Sequence, residues 1–244
     1  MRDDQILPIL RECAEAIRVA IIGHQRRGYS GARETQYHLD IAADEAGVAV
    51  LGAAGFQVIS EESGVSGNGE LTVVIDPIDG STNCDRGLPF FATSLAVLRR
   101  RELIAALVVN QATGTHYEAV RGAGANRDGV PIHASGQSEL AEAMVSFSGW
   151  PQRHLGWSQI RALGAASLEC CLVAEGSLDV YAVAQRSTLH PWDYLGGLII
   201  ARESGAVVAD YLNEELVVTE RLGRRPIFAA SDELLSIFLD AGVL

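Results

Sequence analysis

Three short segments place carboxylates where the chain leaves regular structure: Glu61-Glu62-Ser63, Asp76-Pro77-Ile78-Asp79-Gly80-Ser81-Thr82-Asn83 and Trp192-Asp193. The middle one is the most informative. A strand-type run, Leu71-Thr72-Val73-Val74-Ile75, delivers Asp76 to its end, and Pro77 fixes φ and stops a β-ladder. Asp79 follows three residues after Asp76, where a turn can fold both carboxylates to one side. Gly80 lets backbone N–H groups approach an anion closely. Hard oxygen donors in this arrangement suit Mg²⁺, which takes carboxylates and water and needs no His or Cys; the same donors accept Mn²⁺. If Ser81–Asn83 opens a helix, its free N–H groups are available to a phosphate beside the metals. A metal pair and an amide cradle together are what hydrolysis of a phosphate ester requires.

Each segment also has a purely structural reading. Asp, Pro and Gly are the usual turn formers, so DPIDG serves equally as a strand-ending turn. Glu61-Glu62-Ser63 serves as a helix cap, and Asp193 as an N-cap beside a core Trp192. The chemical reading rests on the three occurring in one chain.

The elements that must position them follow from the apolar pattern. The 244 residues are 48% hydrophobic and 20% charged, enough to bury a substantial core in one large domain or two tightly joined small ones. An amphipathic helix is predicted from about Asp4 to Arg27, with Ile6, Leu10, Cys13, Ile17 and Ile21 on one stripe and Gly28 ending it. A second helix is predicted from Asp40 to about Leu51, then a strand at Val58-Ile59-Ser60, a flexible surface turn at SGVSGNGE and the buried strand Leu71–Ile75. Strand-like runs at Ala92–Leu98, Leu103–Val109, Thr115–Val120 and Ala143–Phe147, with a hairpin signal at Asp128-Gly129, make the middle an antiparallel sheet. Beyond Trp150 helices (Ala165–Ala174, Trp192–Glu203, Ser231–Leu239) alternate with strands (Leu178–Val183, Ala206–Asp210, Pro226–Ala229), the pattern of an α/β half with crossover helices. Two halves, 1–145 and 146–244, would then meet at a cleft.

Composition narrows the partners. Net charge is −12, with 31 acidic residues against 19 basic ones, all of them Arg. Such a surface repels phosphate backbones, so no nucleic acid is expected as a general partner. The absence of Lys excludes Schiff-base chemistry and any phosphate loop that depends on Lys. MRDDQILPIL does not read as a secretory signal, and no eighteen consecutive apolar residues occur, so no membrane association is expected. Cys13, Cys84, Cys170 and Cys171 form no CxxC pair and read as reduced thiols of a cytoplasmic protein, and the six His are scattered.

SEES (60–63), DPIDGSTN (76–83) and WDYLGGLIIARESGA (192–206), with GAASLECCLVAEGSLDVY (164–181) before the last, resemble the signatures of the inositol monophosphatase family. The similarity runs in order from about residue 37 to the C-terminus. It implies an α/β (α+β) fold of layered αβαβα type and a Mg²⁺-dependent, lithium-sensitive phosphatase, commonly a homodimer, with two metal ions and a third site left open. By position, Glu61, Asp76 and the Ile78 carbonyl would hold the first metal, and Asp76, Asp79 and Asp193 the second. The amides of Gly80 and Ser81 would take the phosphate. The Ser81 hydroxyl and an earlier Asp would orient the attacking water; Asp44 is the better match for that Asp, with Asp40 the other candidate. Gly164, Ala165 and Ala166 would line the substrate side, next to Asp79 and Asp193.

One departure concerns specificity. Inositol-specific members carry Glu seven residues before the Asp of the WD pair, where this chain has Arg186. An arginine there suits a second anionic group on the substrate, or else points to solvent from a variable loop. The leading expectation is a phosphomonoesterase for a small polar phosphorylated metabolite, inositol monophosphate by default. The alternatives are 3′-phosphoadenosine 5′-phosphate, fructose bisphosphate, NADP or histidinol phosphate as substrate, or a metal-binding regulatory protein without catalysis.

Overall fold

The computed structural model describes residues 3–24, 27–32 and 36–244. Its first helix, α1 (Ile6–Gly23), buries Ile6, Leu10, Cys13, Ala14 and Ile17 on the predicted stripe. It ends at Gly23 rather than Arg27; Gln25 and Arg26, in the predicted last turn, lie outside the described residues. α1 packs on α2 (His38–Ala53), and the contact is close at Gly47. A Cβ there would stand 2.9 Å from Ile17 Cδ1, and the Gly47 carbonyl accepts the Cys13 thiol.

Both helices cover one face of an eight-stranded sheet. Its strands are β1 (Gln57–Ser60), β2 (Gly64–Ser66), β3 (Leu71–Asp79), β4 (Ala92–Arg99), β5 (Glu102–Asn110), β6 (His116–Val120), β7 (Ala125–Arg127) and β8 (Val130–Pro131), in the order β2-β1-β3-β4-β5-β6-β7-β8. The pairing is antiparallel throughout except for β1 beside β3, which is parallel. Alternation along β3 splits its side chains between two cores: Val73 and Ile75 join α1 and α2, and Val74 faces the other way.

Two differences from the sequence reading bear on the site. The SGVSGNGE segment is not merely a surface turn, because Gly64–Ser66 pairs with β1. β3 also continues through Pro77 to Asp79. A register shift against β4 between Asp76 and Asp79 absorbs the proline, and the Thr93 hydroxyl donates to the Pro77 carbonyl at 2.9 Å. Directly after β3 comes the short helix α3 (Ser81–Arg86).

A second sheet is built from β9 (Met144–Ser148), β10 (Gln159–Arg161), β11 (Val180–Val183), β12 (Val207–Asp210) and β13 (Pro226–Ala229), in the order β10-β9-β11-β13-β12. Between the sheets lie α4 (Ala166–Ala174) and α5 (Pro191–Glu203), whose Leu168, Cys170, Leu195 and Leu198 share one core with Val74, Val108 and Phe228. α6 (Asp232–Ala241), capped by the Ser231 hydroxyl accepting from Leu234 N, closes the far face over Val145, Ile227 and Phe228's neighbour Ala229. The layers are therefore helix, sheet, helix, sheet, helix. All four cysteines are buried and free.

Candidate active site

The register of β1 and β3 assembles the first two carboxylates. Ser60 pairs with Ile75, so Glu61, just past β1, and Asp76, inside β3, stand at the same end of the parallel pair, and Glu61 N donates to the Ile75 carbonyl at 3.2 Å. α5 supplies the third. Pro191 starts it, and Asp193 in its first turn accepts the His190 N–H at 2.6 Å, which fixes where the carboxylate stands. Oxygens of Glu61, Asp76 and Asp193 lie within 4.8 Å of one another.

Such a cluster is electrostatically costly when bare. Burial, then the neighbouring Glu62, Asp40 and Asp79, push the Glu61 carboxyl up to about 7. Burial and the surrounding carboxylates raise Asp76 and Asp193 well above the usual range. An all-oxygen donor set with this much converging negative charge fits a hard divalent cation.

Asp79 stands beside this group rather than inside it. Its carboxylate accepts Ala166 N at 3.1 Å, Ser167 N at 2.7 Å and the Ser167 hydroxyl at 2.5 Å. Burial lifts it to about 6 against these donors. It thereby ties the end of β3 to the start of α4 and places Gly164, Ala165 and Ala166 next to the cluster. Ile78 lies between the two aspartates: its N–H donates to Asp76 Oδ1 at 3.0 Å, and its carbonyl accepts the Ser81 hydroxyl at 2.8 Å. Gly80 follows at φ 85°, a conformation that favours glycine, and opens α3. A Cβ on Gly80 would stand 2.9 Å from the Gly164 carbonyl, so the two loops touch through backbone. Asn83 braces the contact, its amide donating to the carbonyls of Phe90 at 2.7 Å and Leu163 at 2.8 Å.

These elements enclose a cleft of about 270 Å³ lined by Gln36, Tyr37, Asp40, Glu61, Glu62, Gly80, Ser81, Thr82, Gly164 and Arg221. A larger hollow of about 440 Å³ beside the end of α5 has Arg101, Arg121 and Arg202 set against Glu102, Glu203 and Glu215, and none of the clustered carboxylates.

Two sequence expectations are displaced. Asp44 does not face the cleft: it is buried where α2 meets β1 and accepts the Ser60 hydroxyl. Asp40 lines the cleft instead. α2 starts at His38, so Asp40 falls in its first turn, at the end near the cleft, and Asp44 one turn deeper. Reading the helix from Tyr37, whose N–H the Asp40 carboxylate accepts at 2.8 Å, would have found it. Arg186 is exposed after β11 at φ 96° and is not among the residues lining the cleft. Arg221 lines it, from the loop between β12 and β13. No spacing signal in the sequence pointed there.

Behind the substrate-side loop sits Glu169, a positioning residue the sequence reading passed over. Its buried carboxyl is raised to about 7, chiefly by burial, and accepts the Ser146 hydroxyl, Leu163 N at 3.2 Å and Gly164 N at 3.3 Å. Glu169→Gln keeps the shape but turns an NH₂ group toward a backbone N–H. The expected result is a loss of about 1–3 kcal/mol in denaturant unfolding and a KM raised several-fold with kcat changed less. A variant of unchanged stability and KM would remove this role.

A family model described as the inositol monophosphatase family matches residues 7–236. The chain is 36% identical over 193 residues to a fructose-1,6-bisphosphatase of Pyrococcus furiosus, covering 76% of this chain and 74% of that protein. It is 34% identical over 214 residues to a fructose-1,6-bisphosphatase/inositol-1-monophosphatase of Methanocaldococcus jannaschii, covering 82% of each. Among solved structures, an inositol monophosphatase–fructose 1,6-bisphosphatase superposes with a TM-score of 0.84 at 29% identity, over 98% of this chain and 99% of the other. The layered fold, the carboxylate cluster at its strand ends and these matches agree: this chain belongs to the inositol monophosphatase family.

Proposed function

We propose that this chain, by family a metal-dependent phosphoric monoester hydrolase, works with Mg²⁺ on small polar phosphorylated metabolites, with inositol monophosphate the default substrate. The observation that carries the reading is the convergence of Glu61, Asp76 and Asp193 beside the Gly80–Ser81 turn. Glu61, Asp76, Asp193 and the Ile78 carbonyl would hold the cations, with Asp79 as a further ligand on the α4 side; Mn²⁺ would substitute. Bound there, a divalent cation lowers the pKa of a coordinated water and offsets charge on the phosphoryl group.

The chain's own residues supply the rest. The Gly80 and Ser81 amides receive phosphoryl oxygens at the start of α3. The Ser81 hydroxyl, now bonded to the Ile78 carbonyl, and the Asp40 carboxylate orient the attacking water, the part the sequence reading gave to Asp44. Gly164, Ala165 and Ala166 shape the leaving-group side. The names of the two relatives cover both a monophosphate and a bisphosphate.

The assembly is a homodimer, and the halves divide near residue 145, a reading supported by the change from the eight-stranded to the five-stranded sheet at β9. Among the described residues no helix is long and apolar enough to cross a membrane, and four free thiols accord with a cytoplasmic setting. A charge of −12 argues against nucleic acid.

The test is phosphate release from inositol 1-phosphate and fructose 1,6-bisphosphate with Mg²⁺, after chelation, and with Asp79→Asn as control. Turnover is expected only with metal, reduced about a hundredfold or more in the variant. Turnover that survives chelation and the substitution would remove the metal mechanism.

A further inference from the structure

Among the described residues, Arg221 is the arginine on the wall of the cleft that Asp40, Glu61 and Glu62 line. Arg11, Arg18, Arg99, Arg121 and Arg127 each pair with a carboxylate. The Arg221 guanidinium instead lies over the Trp192 ring, 5.1 Å from its centre, and makes no ion pair among the described residues. Its platform is fixed, because Trp192 is buried in the first turn of α5.

The loop that carries it is fastened just beyond. Arg224 and Leu189 exchange backbone hydrogen bonds at 2.8 and 2.9 Å, Arg225 N donates to Asp210 at 2.7 Å, and Arg225 Nε donates to the Ser187 carbonyl at 3.1 Å. Beneath the Arg221 guanidinium, Trp192 Nε1 is buried without a hydrogen-bond partner among the described residues, as is His190 Nδ1 just before α5.

The opening of α3 and the acidic cluster serve the phosphoryl group under attack. Arg221 comes from a different element, the β12–β13 loop, and lines the same cleft, where its charge reaches Glu61 and Asp193 and where a second anionic group of a substrate held at the Gly80 turn would find its one described cationic partner. A guanidinium stacked on an aromatic face keeps its N–H donors at the edge, matched to a phosphate or carboxylate.

We infer that Arg221 is a specificity-determining residue that binds a second anionic group of the substrate and so favours doubly anionic esters over monophosphates. The inference rests on the phosphatase reading above and moves the discriminating charge from Arg186 to Arg221.

Steady-state kinetics with Mg²⁺ on fructose 1,6-bisphosphate and inositol 1-phosphate, for the unmodified protein, Arg221→Gln and Arg221→Lys, test it. Arg221→Gln is expected to raise KM for the bisphosphate about tenfold to a hundredfold, with its kcat within about threefold. The rise in KM for inositol 1-phosphate should be at least about fivefold smaller than that for the bisphosphate, and Arg221→Lys should be intermediate. Equal losses on both substrates, or none on either, overturn the inference and leave the phosphatase reading standing. If the unmodified protein hydrolyses neither substrate, the phosphatase reading fails by itself. Calorimetric titration of fructose 1,6-bisphosphate with Ca²⁺ then decides for Arg221: affinity at least about tenfold weaker in Arg221→Gln supports it, and equal affinity or no binding overturns it.

Discussion

Asp76→Asn is expected to lower phosphatase turnover by about a thousandfold while making the metal-free protein more stable. Asp76 is the carboxylate at the middle of the cluster, buried, and raised first by burial and then by Glu61, Asp79 and Asp193. Asparagine keeps an oxygen able to accept the Ile78 N–H, so the turn survives and only the charge is lost. Removing a charged ligand from such a site costs about a hundredfold to a thousandfold in kcat, and here it lowers cation affinity as well. Without metal the same charge opposes folding, because it is buried among like charges.

The pH dependence of the unmodified protein has a definite sign. Glu61 titrates at about 7 in the folded protein against 4.5 ordinarily, and Asp79 at about 6 against 3.8. Between those values the folded form holds more protons than the unfolded one, so metal-free stability falls as pH rises from about 4 through about 7, and the raised Asp76 and Asp193 add to the same slope. Mg²⁺ binds the deprotonated groups, so the stabilisation it gives grows over the same interval. Thermal melts at about pH 5 and about pH 8, with and without Mg²⁺, should show a widening gap that Asp76→Asn largely closes. A metal-free variant that melts lower than the unmodified protein, or one that still turns over, would contradict the cluster's role.

How far the sequence reached depended on whether a feature was local. Leu71–Ile75 followed by Asp76-Pro77 is a local pattern, and the strand and its turn were legible from it. The layers were legible too, since alternation along the strands and the stripe on α1 each report which face is buried. Pro77 was read as the end of the ladder, yet β3 runs past it, because β4 and the Thr93 hydroxyl offer partners that only the folded sheet reveals. Asp40 and Asp44 differ by one helical turn, and choosing between them required knowing that α2 starts at His38. The bonds from α4 to Asp79 span 87 and 88 residues, and no spacing rule forecasts them. Arg221 is the extreme case. It lies 28 residues beyond Asp193 on an irregular loop, where charge carries no periodic signal and only the tertiary fold brings it to the cleft.

Gly80→Ala should be the most damaging change of a single methyl group, and its partner control is Gly87→Ala. Both glycines flank α3 in left-handed conformation, at φ 85° and 75°. For an alanine that backbone costs about 1–2 kcal/mol at either site. Beyond Gly87 lies open space, so strain is the whole effect there. At Gly80 the added Cβ would sit 2.9 Å from the Gly164 carbonyl, 3.1 Å from Ala165 Cβ and 3.3 Å from the Phe90 carbonyl, two of the three being backbone. Backbone held by Asn83 and Glu169 cannot swing aside as a side-chain tip does. The turn itself must then move, and with it the amides that receive the phosphoryl oxygens. A displacement of about 1 Å is worth about a hundredfold in rate. Gly80→Ala is therefore expected to lose about 2–4 kcal/mol of stability and at least about a hundredfold in kcat. Gly87→Ala should lose about 1–2 kcal/mol and keep kcat within a few-fold. Denaturant unfolding and phosphate release on the two variants separate strain from collision. Matching losses of turnover in both would show that the contact between the Gly80 turn and Gly164 does not set the amide geometry.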